Sequence, residues 1–266
     1  MVVVGGAAGM AGAPALAAMA ALRAGAGLVE LLVPTCVTGV AAAFDPCVMT
    51  HGLPDDGRGT FAAEALPAIL ARVAAADAVA VGPGLGRSAG VRDLVARLWR
   101  ELEAPAVFDA DGLWAIAVAD GATAPHAGPR ILTPHAGEML RLIGLEPTDA
   151  RGGDRGWLEA RAAELAAARD VTILLKGPAT LVVDPRSTAH NDTGNPGMAK
   201  GGSGDVLTGV VAALLAQGLT PFAAARLGAW VHGTAGDAAA ADKGEVSMTP
   251  LDLLDRLHVG FRAAGA

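Results

Sequence analysis

The chain has few of the residues that mark several classes of protein. Its 266 residues include no tyrosine, two cysteines and three lysines. Cys36 and Cys47 are too few for a disulfide framework, so we expect them to be reduced, small and partly buried. The net charge is −7 and no basic run occurs. Nucleic acid and acidic membrane surfaces are therefore disfavoured as partners.

Long apolar runs are also missing, since no uninterrupted apolar stretch reaches the ~18 residues of a membrane span. No basic segment precedes an apolar one near the first residue, so we expect no signal peptide and a cytoplasmic location. Hydrophobic residues still make up 52% of the chain and charged residues 18%. This composition, without an internal repeat or linker, predicts one globular domain over residues 1–266.

Three common catalytic motifs are absent or poorly placed. No lysine follows a glycine, which excludes a Walker P-loop. A strict G-x-G-x-x-G does not occur, which disfavours a hydride-transferring dinucleotide enzyme. The hydrolase pattern G-x-S-x-G occurs once, at residues 86–90, but its serine comes after a turn that glycines already fill. We expect this residue, Ser88, to cap the next helix.

The sequence does contain a repeated alternation of short apolar runs and segments with helical periodicity. Residues 2–4, a Gly-Gly turn, a helix over 13–24 and an apolar run over 28–33 form the strand–helix–strand unit of a parallel sheet. More strands are predicted at 77–81, 106–108, 131–133, 171–175 and 181–183, and more helices at 64–75, 91–101, 154–169, 222–241 and 249–257. This alternation predicts an α/β fold, with a mostly parallel central sheet and helices on both faces.

A glycine-rich loop that runs into a helix organises the chain. Residues 191–218 read NDTGNPGMAKGGSGDVLTGVVAALLAQG, and the helix is predicted from Asp205 onward. Free N–H groups and the helix dipole make such a junction an anion site. Asp205 at this position is either a partner of the helix dipole or a base aimed at whatever reacts with the anion.

Other candidates follow the predicted strands, because open α/β sheets bind ligands at the carboxyl ends of their strands. The segment GPGLG lies at 82–86, and Asp109 and Asp111 follow the next strand. The two carboxylates suit a metal or a hydroxyl, or Asp111 caps the following helix. His135 and Glu138 follow a further strand and, taken alone, fit a turn and a first helical turn.

The few lysines are placed unevenly. Lys176 follows a strand and Lys200 lies in the glycine-rich loop, so two of the three lysines lie beside candidate phosphate loops. An ammonium group can reach phosphates as a mobile point charge, although a surface lysine is the simpler interpretation. His232 lies in a predicted helix, where a core position is favoured over one in a nucleotide pocket.

These motifs together resemble one family. GGSGDVLTG at 201–209, preceded by TGNPGMAK, resembles the ribokinase-like superfamily, and most of all its ADP- or ATP-dependent NAD(P)H-hydrate dehydratases. TPHAGE at 133–138 and GPGLG at 82–86 are similar to segments of the same enzymes. The first turn, GGAAGMAGA at 5–13, is similar to their Gly-Gly-Ser-x-x-Tyr-x-Gly-Ala segment, with Ala7 for Ser and Met10 for Tyr.

The resemblance implies a ribokinase-like, three-layer α/β/α fold and an activity in metabolite repair. The implied reaction dehydrates the S form of hydrated NADH or NADPH, called NADHX and NADPHX, back to NAD(P)H. It gives AMP from ADP, or ADP from ATP, together with phosphate, and uses Mg²⁺. The resemblance also implies a homo-oligomer, with a tetramer among the expected forms.

The resemblance further assigns roles to individual residues. Asp205 is implied as the catalytic base, and Mg²⁺ is implied at Glu138, through water, and at Asp109. Substrate contacts are implied for Ala13, Gly84, Gly86, His135 and Asp205, with helix packing as the alternative for Ala13. Nucleotide contacts are implied for Lys176, Gly177, Pro178, Ala179, Thr180, Gly201, Gly202, Ser203 and Gly204.

Two other functions stay open at this point. One is a small-molecule kinase of the same fold, acting on a hydroxymethylpyrimidine or a hydroxyethylthiazole. The other is a non-catalytic nucleotide-binding protein, since the first turn departs from the family pattern.

Overall fold

One sheet forms the centre of the computed structural model. The model describes residues 1–118 and 125–265. Positions 119–124 and 266 of the predicted domain lie outside the described residues. The nine strands of this described part are ordered β3-β2-β1-β4-β5-β6-β7-β8-β9. They are β1 (Val2–Val4), β2 (Glu30–Pro34), β3 (Met49–Leu53), β4 (Val79–Val81), β5 (Ala106–Phe108), β6 (Arg130–Leu132), β7 (Thr172–Leu175), β8 (Thr180–Val183) and β9 (Thr188–Asn191).

Strands β1 to β7 pair in parallel, and β8 and β9 continue the sheet as an antiparallel hairpin at one edge. The central strands are short and buried, because helices cover both of their faces. The register aligns Val4 with Val81, and Val81 with Phe108. The carboxyl ends of β1, β4 and β5 therefore stop at the same level, and the loops that follow them share one edge of the sheet.

Ten α-helices accompany the sheet in the described residues. They are α1 (Gly12–Arg23), α2 (Thr38–Ala42), α3 (Leu66–Val73), α4 (Ala89–Glu101), α5 (Asp111–Val118), α6 (Ala136–Leu142), α7 (Arg155–Arg169), α8 (Ser203–Ala216), α9 (Pro221–Lys243) and α10 (Pro250–Ala264). One apolar cluster joins α1, α8, α9 and α10 to the sheet, and a second joins α3 to α7 to the opposite face.

Side-chain alternation along the strands explains these two layers. Val3 and Ala80 belong to the first cluster, whereas Val2, Val4 and Val79 belong to the second. The three-layer, mostly parallel α/β/α prediction is thus confirmed. Within the described residues, no helix is both long and apolar enough to span a membrane.

Several local expectations were wrong at the periphery. The sequence pattern did not predict β3, β9 or α2, and α8 begins at Ser203, two residues before the predicted start. Cys36 and Cys47 are free, but both are exposed instead of partly buried. The Ser88 cap is confirmed, since its hydroxyl accepts a hydrogen bond from the Val91 amide at 3.2 Å.

Candidate active site

The N-terminus of α8 lies over the edge where the parallel strands end. A Cβ atom placed on Gly204 would lie 3.4 Å from Nζ of Lys176 and 3.7 Å from Oδ2 of Asp109. Lys176 follows β7 and Asp109 follows β5, so the α8 N-terminus meets the ends of two strands. The parallel topology thus brings the predicted anion loop and the polar strand ends into one place.

Asp109 lies at the centre of this edge and is almost fully buried. Its Oδ1 accepts a hydrogen bond from Nζ of Lys176 at 2.7 Å, and its Oδ2 accepts one from the Thr208 hydroxyl at 2.8 Å. Its side chain is only 2% exposed. Each carboxylate oxygen thus accepts one hydrogen bond, and Asp109 orients the ammonium group of Lys176. The metal role of Asp109 stays a prediction.

Lys176 is held in place, unlike the mobile charge that its sequence position suggested. Besides Asp109, Oε2 of Glu138 lies 3.6 Å from its ammonium group. Burial by itself would lower the pKa of Lys176, but Asp109, Glu138 and Asp205 together hold that pKa above its ordinary value. The ammonium group therefore stays charged, in a fixed position next to the anion loop.

His135 and Glu138 form a capping box at the start of α6. Nδ1 of His135 accepts hydrogen bonds from the amides of Gly137 and Glu138, and Oε2 of Glu138 accepts one from the His135 amide at 2.9 Å. An accepting Nδ1 assigns the proton of a neutral imidazole to Nε2. Nε2 of His135 lies 3.5 Å from Oε1 of Glu138, and the His135 side chain is still 60% exposed, so a ligand can reach its ring. The structural role and the predicted substrate contact are compatible.

Asp205 occupies the first turn of α8 and is the least satisfied of these carboxylates. Among the described residues, no side chain or amide donates a hydrogen bond to it. Burial, followed by the negative charge of Asp109, raises its pKa to about 7, despite the opposing effect of Lys176. Asp111 and Glu138 raise it further. A carboxylate with this pKa can accept a proton near neutral pH, as a general base requires.

The anion loop is shaped by Gly202, whose φ of 102° is a left-handed conformation that glycine adopts without steric cost. The Ser203 amide donates to the Lys200 carbonyl at 3.2 Å, and the Val206 amide donates to the Gly202 carbonyl at 3.1 Å. The amides of Gly204 and Asp205 come before that first intrahelical bond, so they have no acceptor within the helix. Of the four loop residues predicted to contact the nucleotide, Ser203 thus has its amide already used within the turn.

His232 supports the loop from the core, as the sequence favoured. It is buried on α9, and its Nε2 lies 2.9 Å from the Ser203 carbonyl. Burial lowers the pKa of His232 to about 4. The imidazole is therefore neutral at physiological pH and donates a hydrogen bond to this carbonyl, which fixes the start of α8.

The residues present fit Mg²⁺ at Glu138 in part. No group of three or more histidine, cysteine or acidic side chains within residues 1–118 and 125–265 is arranged to hold a metal ion by itself. Mg²⁺ usually keeps several waters and is bound through one or two carboxylates plus substrate phosphates. Glu138 suits that mode. Its side chain is 11% exposed and lies 3.6 Å from the ammonium group of Lys176, which is next to the anion loop. Asp109 is more deeply buried, with its side chain 2% exposed, and its metal role stays a prediction.

The predicted substrate residues Ala13 and Gly84 lie together at the other side of the site. A Cβ atom on Gly84 would lie 2.7 Å from the Met10 carbonyl oxygen and 3.2 Å from Cβ of Ala13. The neighbouring Gly86 packs against Thr60 in the same way. The first turn and the GPGLG segment therefore form one wall. Their close approach requires glycine at positions 84 and 86, where a Cβ atom would be too close to its neighbours.

Asp111 has a different function from the helix cap that the sequence suggested. Its Oδ2 accepts a hydrogen bond from the Gly86 amide at 2.9 Å, and its Oδ1 pairs with Nε of Arg87 at 2.9 Å. It belongs to α5 but holds the GPGLG segment in place. The sequence offered no signal for this contact, because the partners are 25 residues apart.

The nucleotide-side prediction divides between two loops. Gly177, Pro178 and Ala179 form an exposed turn between β7 and β8, in which the Thr180 hydroxyl bonds the Gly177 carbonyl at 3.0 Å. Lys200, by contrast, directs its ammonium group to the carbonyls of Glu245, Val246 and Met248. It fastens the anion loop to the segment before α10, so only Lys176 is placed to meet a phosphate.

Comparisons with known proteins agree with this arrangement. The family model described as NAD(P)H-hydrate dehydratase matches residues 1–258. The bifunctional NAD(P)H-hydrate repair enzyme Nnr of Moorella thermoacetica is 46% identical over 260 residues, which cover 97% of this chain and 48% of that enzyme. The enzyme of the same name from Escherichia coli is 34% identical over 259 residues, covering 97% and 46%. The chain thus spans about half the length of the curated relatives it matches.

Solved structures are similar over almost the whole chain. The ADP/ATP-dependent NAD(P)H-hydrate dehydratase of Bacillus subtilis, co-crystallized with ATP and Mg²⁺, has a TM-score of 0.78 at 25% identity and covers 98% of this chain and 88% of its own. Hydroxyethylthiazole kinase of Pyrococcus horikoshii has a TM-score of 0.59 at 18% identity, covering 91% and 92%, and shares the fold alone. The chain belongs to the NAD(P)H-hydrate dehydratase family, and its fold is the ribokinase-like fold.

Proposed function

We propose that the chain catalyses the ADP- or ATP-dependent dehydration of the S form of NADHX and NADPHX to NAD(P)H. The observation that carries the proposal is the Asp205 carboxylate, which has a pKa of about 7 at the N-terminus of α8. It lies beside the fixed ammonium group of Lys176 and beside an anion loop. A base and a phosphate site in direct proximity are what transfer of a phosphoryl group to a hydroxyl requires.

The nucleotide is bound by the loops after β7 and before α8. The exposed Gly177–Ala179 turn and Thr180 hold the nucleoside end, and the amides of Gly204 and Asp205 meet the terminal phosphate. Lys176 supplies a positive charge that its carboxylate partners keep in position. The helix dipole of α8 adds to this attraction, since its positive end faces the same phosphate.

The first chemical step joins the substrate hydroxyl to phosphorus. Asp205 takes the proton from the hydroxyl of the hydrated nicotinamide ring, and the oxygen attacks the terminal phosphorus. The bond from phosphorus to the bridging oxygen breaks, and AMP leaves from ADP, or ADP leaves from ATP. The loop amides and Lys176 stabilise the charge on the transferred group.

Mg²⁺, held at Glu138 through water and at the nucleotide phosphates, would neutralise phosphate charge in this acidic site. Asp109 keeps Lys176 directed at the nucleotide, and Thr208 keeps Asp109 in place.

The second step is elimination. Phosphate departs with the electron pair of the carbon–oxygen bond, and the neighbouring ring carbon gives its proton to the departing phosphate, which restores the double bond of NAD(P)H. Asp205 then releases its own proton to solvent. His135 and the wall formed by Ala13, Gly84 and Gly86 hold the ring during both steps. A site built for phosphoryl transfer thus acts as a dehydratase, because its phosphorylated product is unstable.

The test follows the near-ultraviolet absorbance of reduced nicotinamide in a prepared NADHX sample with protein and Mg²⁺, and with ADP, ATP or neither. A rise that requires one of the nucleotides supports the proposal and identifies the donor. No rise in a chain that binds nucleotide would contradict the proposal and favour a hydroxymethylpyrimidine or hydroxyethylthiazole kinase. Nucleotide binding without turnover of any of these substrates would leave a non-catalytic nucleotide-binding protein. The cytoplasmic location and the homo-oligomer, a tetramer among its expected forms, stay predictions.

A further inference from the structure

The turn between β7 and β8 is held from its rear side by Arg155, the first residue of α7. Nη1 of Arg155 donates a hydrogen bond to the Lys176 carbonyl at 3.2 Å. Nη2 donates to the carbonyls of Leu175 and Ala179, each at 3.1 Å. One guanidinium group therefore connects the end of β7 with the far side of the turn.

This contact determines where the amides of the turn point. The carbonyl and the N–H group of a trans peptide unit face opposite directions, because the unit is planar. A Lys176 carbonyl fixed on Arg155 directs the Gly177 amide away from α7. The anion loop at the start of α8 lies on that opposite side, since α7 and α8 pack on opposite faces of the sheet. Arg155 thus aims a backbone donor at the proposed nucleotide.

The backbone of the turn needs this support. Ala179 has a φ of 49°, a left-handed conformation that is unfavourable for residues other than glycine. The residues of the turn are exposed, so core packing does not hold them in this shape. The three hydrogen bonds from Arg155 are the contacts that close the turn on the α7 side.

Arg155 is itself fixed, and four of its five N–H donors have partners within the protein. Its Nε donates to Oε1 of Glu159 at 2.9 Å, one turn further along α7. Oε2 of Glu159 lies 3.1 Å from Nε2 of His190 on β9. All three guanidinium nitrogens therefore donate to acceptors of the protein, which argues for an indirect role rather than for direct contact with a ligand.

We propose that Arg155 is a positioning residue for the nucleotide. It fixes the backbone of the Lys176–Ala179 turn and thereby sets the affinity for ADP or ATP, without taking part in the chemical step. This role rests on the proposed function, because it assumes that the turn holds the nucleotide.

The experiment compares Arg155→Lys and Arg155→Ala with the wild-type chain. Lysine keeps the positive charge but cannot reach both sides of the turn with a planar fork. We expect both variants to raise the Kd and the KM for the nucleotide about tenfold or more. The KM for NADHX and kcat at saturating nucleotide should stay at their wild-type values. Arg161→Ala is the matched control, since Arg161 lies on the same helix, pairs with Glu164 and is not among the partners of the turn.

The possible outcomes separate the two proposals. A nucleotide Kd, measured by calorimetry, that is unchanged in both variants would overturn the role of Arg155, as would a fall in kcat at constant nucleotide KM. If Arg155→Ala does not fold, Arg155→Lys decides the question, because its thermal midpoint can be checked against the control. A wild-type chain that binds neither ADP nor ATP would remove the proposed function, and this role with it.

Discussion

Replacing Asp205 with asparagine should abolish turnover and, at the same time, stabilise the fold above neutral pH. The folded-state pKa of this carboxyl rises from 3.8 to about 7, chiefly because of burial and then Asp109. Stability from a carboxyl with a raised folded-state pKa is fully present below pH 3.8, and is lost as the pH rises through about 7. The charged form therefore opposes folding at the pH at which catalysis needs it.

The magnitude follows from the size of the shift. One pKa unit corresponds to about 1.4 kcal/mol, so a shift of about three units sets an upper limit of about 4 kcal/mol. Asp205 is only partly buried, and we expect Asp205→Asn to raise the free energy of unfolding by about 1 to 4 kcal/mol near pH 8. The gain should be much smaller near pH 4.5, because the wild-type carboxyl is still protonated in the fold and this pH lies only slightly above the unfolded-state pKa of 3.8.

The assays are urea denaturation at the two pH values and steady-state turnover of NADHX. We expect kcat to fall about 10²- to 10⁴-fold, which is the usual contribution of a general base, while nucleotide binding is kept. In the wild-type protein, kcat/KM should fall about tenfold per pH unit below about pH 7, because protonation removes the base.

Asp93→Asn is the control for both readouts, since Asp93 is 72% exposed and, within the described part of the chain, pairs with its neighbour Arg92 alone. Its unfolding free energy and its turnover should match the wild-type values. An Asp205→Asn variant with normal turnover would remove Asp205 from the mechanism. A variant that loses activity without any gain in stability near pH 8 would refute the electrostatic reasoning.

Four further predictions concern the groups around the site and the assembly. Lys176→Met should leave Asp109 buried without a cation, and should lower the free energy of unfolding by about 3 kcal/mol and abolish nucleotide binding. A denaturation curve equal to that of the wild type would contradict a stabilising ion pair. Since the pKa of His232 is lowered to about 4, its contribution to stability is lost as the pH falls from 6.5. As the pH falls from 6.5 to about 4, His232→Gln should therefore lose less unfolding free energy than the wild type. Equal slopes of unfolding free energy against pH in the two proteins would exclude a neutral imidazole at this position. Arg130→Met should lower the free energy of unfolding by about 2 kcal/mol or more, because the buried guanidinium donates hydrogen bonds to four backbone carbonyls. An unchanged thermal midpoint would show that stability does not depend on those bonds. Light scattering after size exclusion should give a multiple of 26.3 kDa, and a mass of one chain would contradict the homo-oligomer.

The central layer of the fold could be predicted because its signals are local. Short apolar runs, each followed by a turn and a segment of helical period, indicate parallel strands at β1, β4 and β5. Parallel topology alone then implies that the residues after these strands meet at one edge. For this reason, the anion loop, Lys176 and the GPGLG segment, which were all selected from the sequence, lie near one another in the fold.

The edges of the sheet could not be predicted in the same way. Strand β9 reads Thr-Ala-His-Asn, and most of its residues are at least partly exposed, so it has no apolar run to detect. Strand β3 contains a glycine and a histidine among its five residues and is also half-exposed. An edge strand needs only one partner, and its hydrogen bonds do not depend on buried side chains.

The partners within the site depend on contacts that no local pattern contains. Lys176 and Asp109 are 67 residues apart, and Thr208 and Asp109 are 99 residues apart. The sequence therefore placed Asp109 at the site without indicating that Lys176 and Thr208 are its hydrogen-bond partners.

The most direct test of the central claim asks which oxygen the released phosphate carries. NADHX prepared by hydration in ¹⁸O-water bears the label on its ring hydroxyl, and the phosphate formed with ADP or ATP can be analysed by mass spectrometry. If the hydroxyl attacks the terminal phosphorus, one labelled oxygen will appear in the phosphate for each NADH formed. Unlabelled phosphate would mean that water attacks the nucleotide, and would contradict phosphoryl transfer to the substrate with Asp205 as its base.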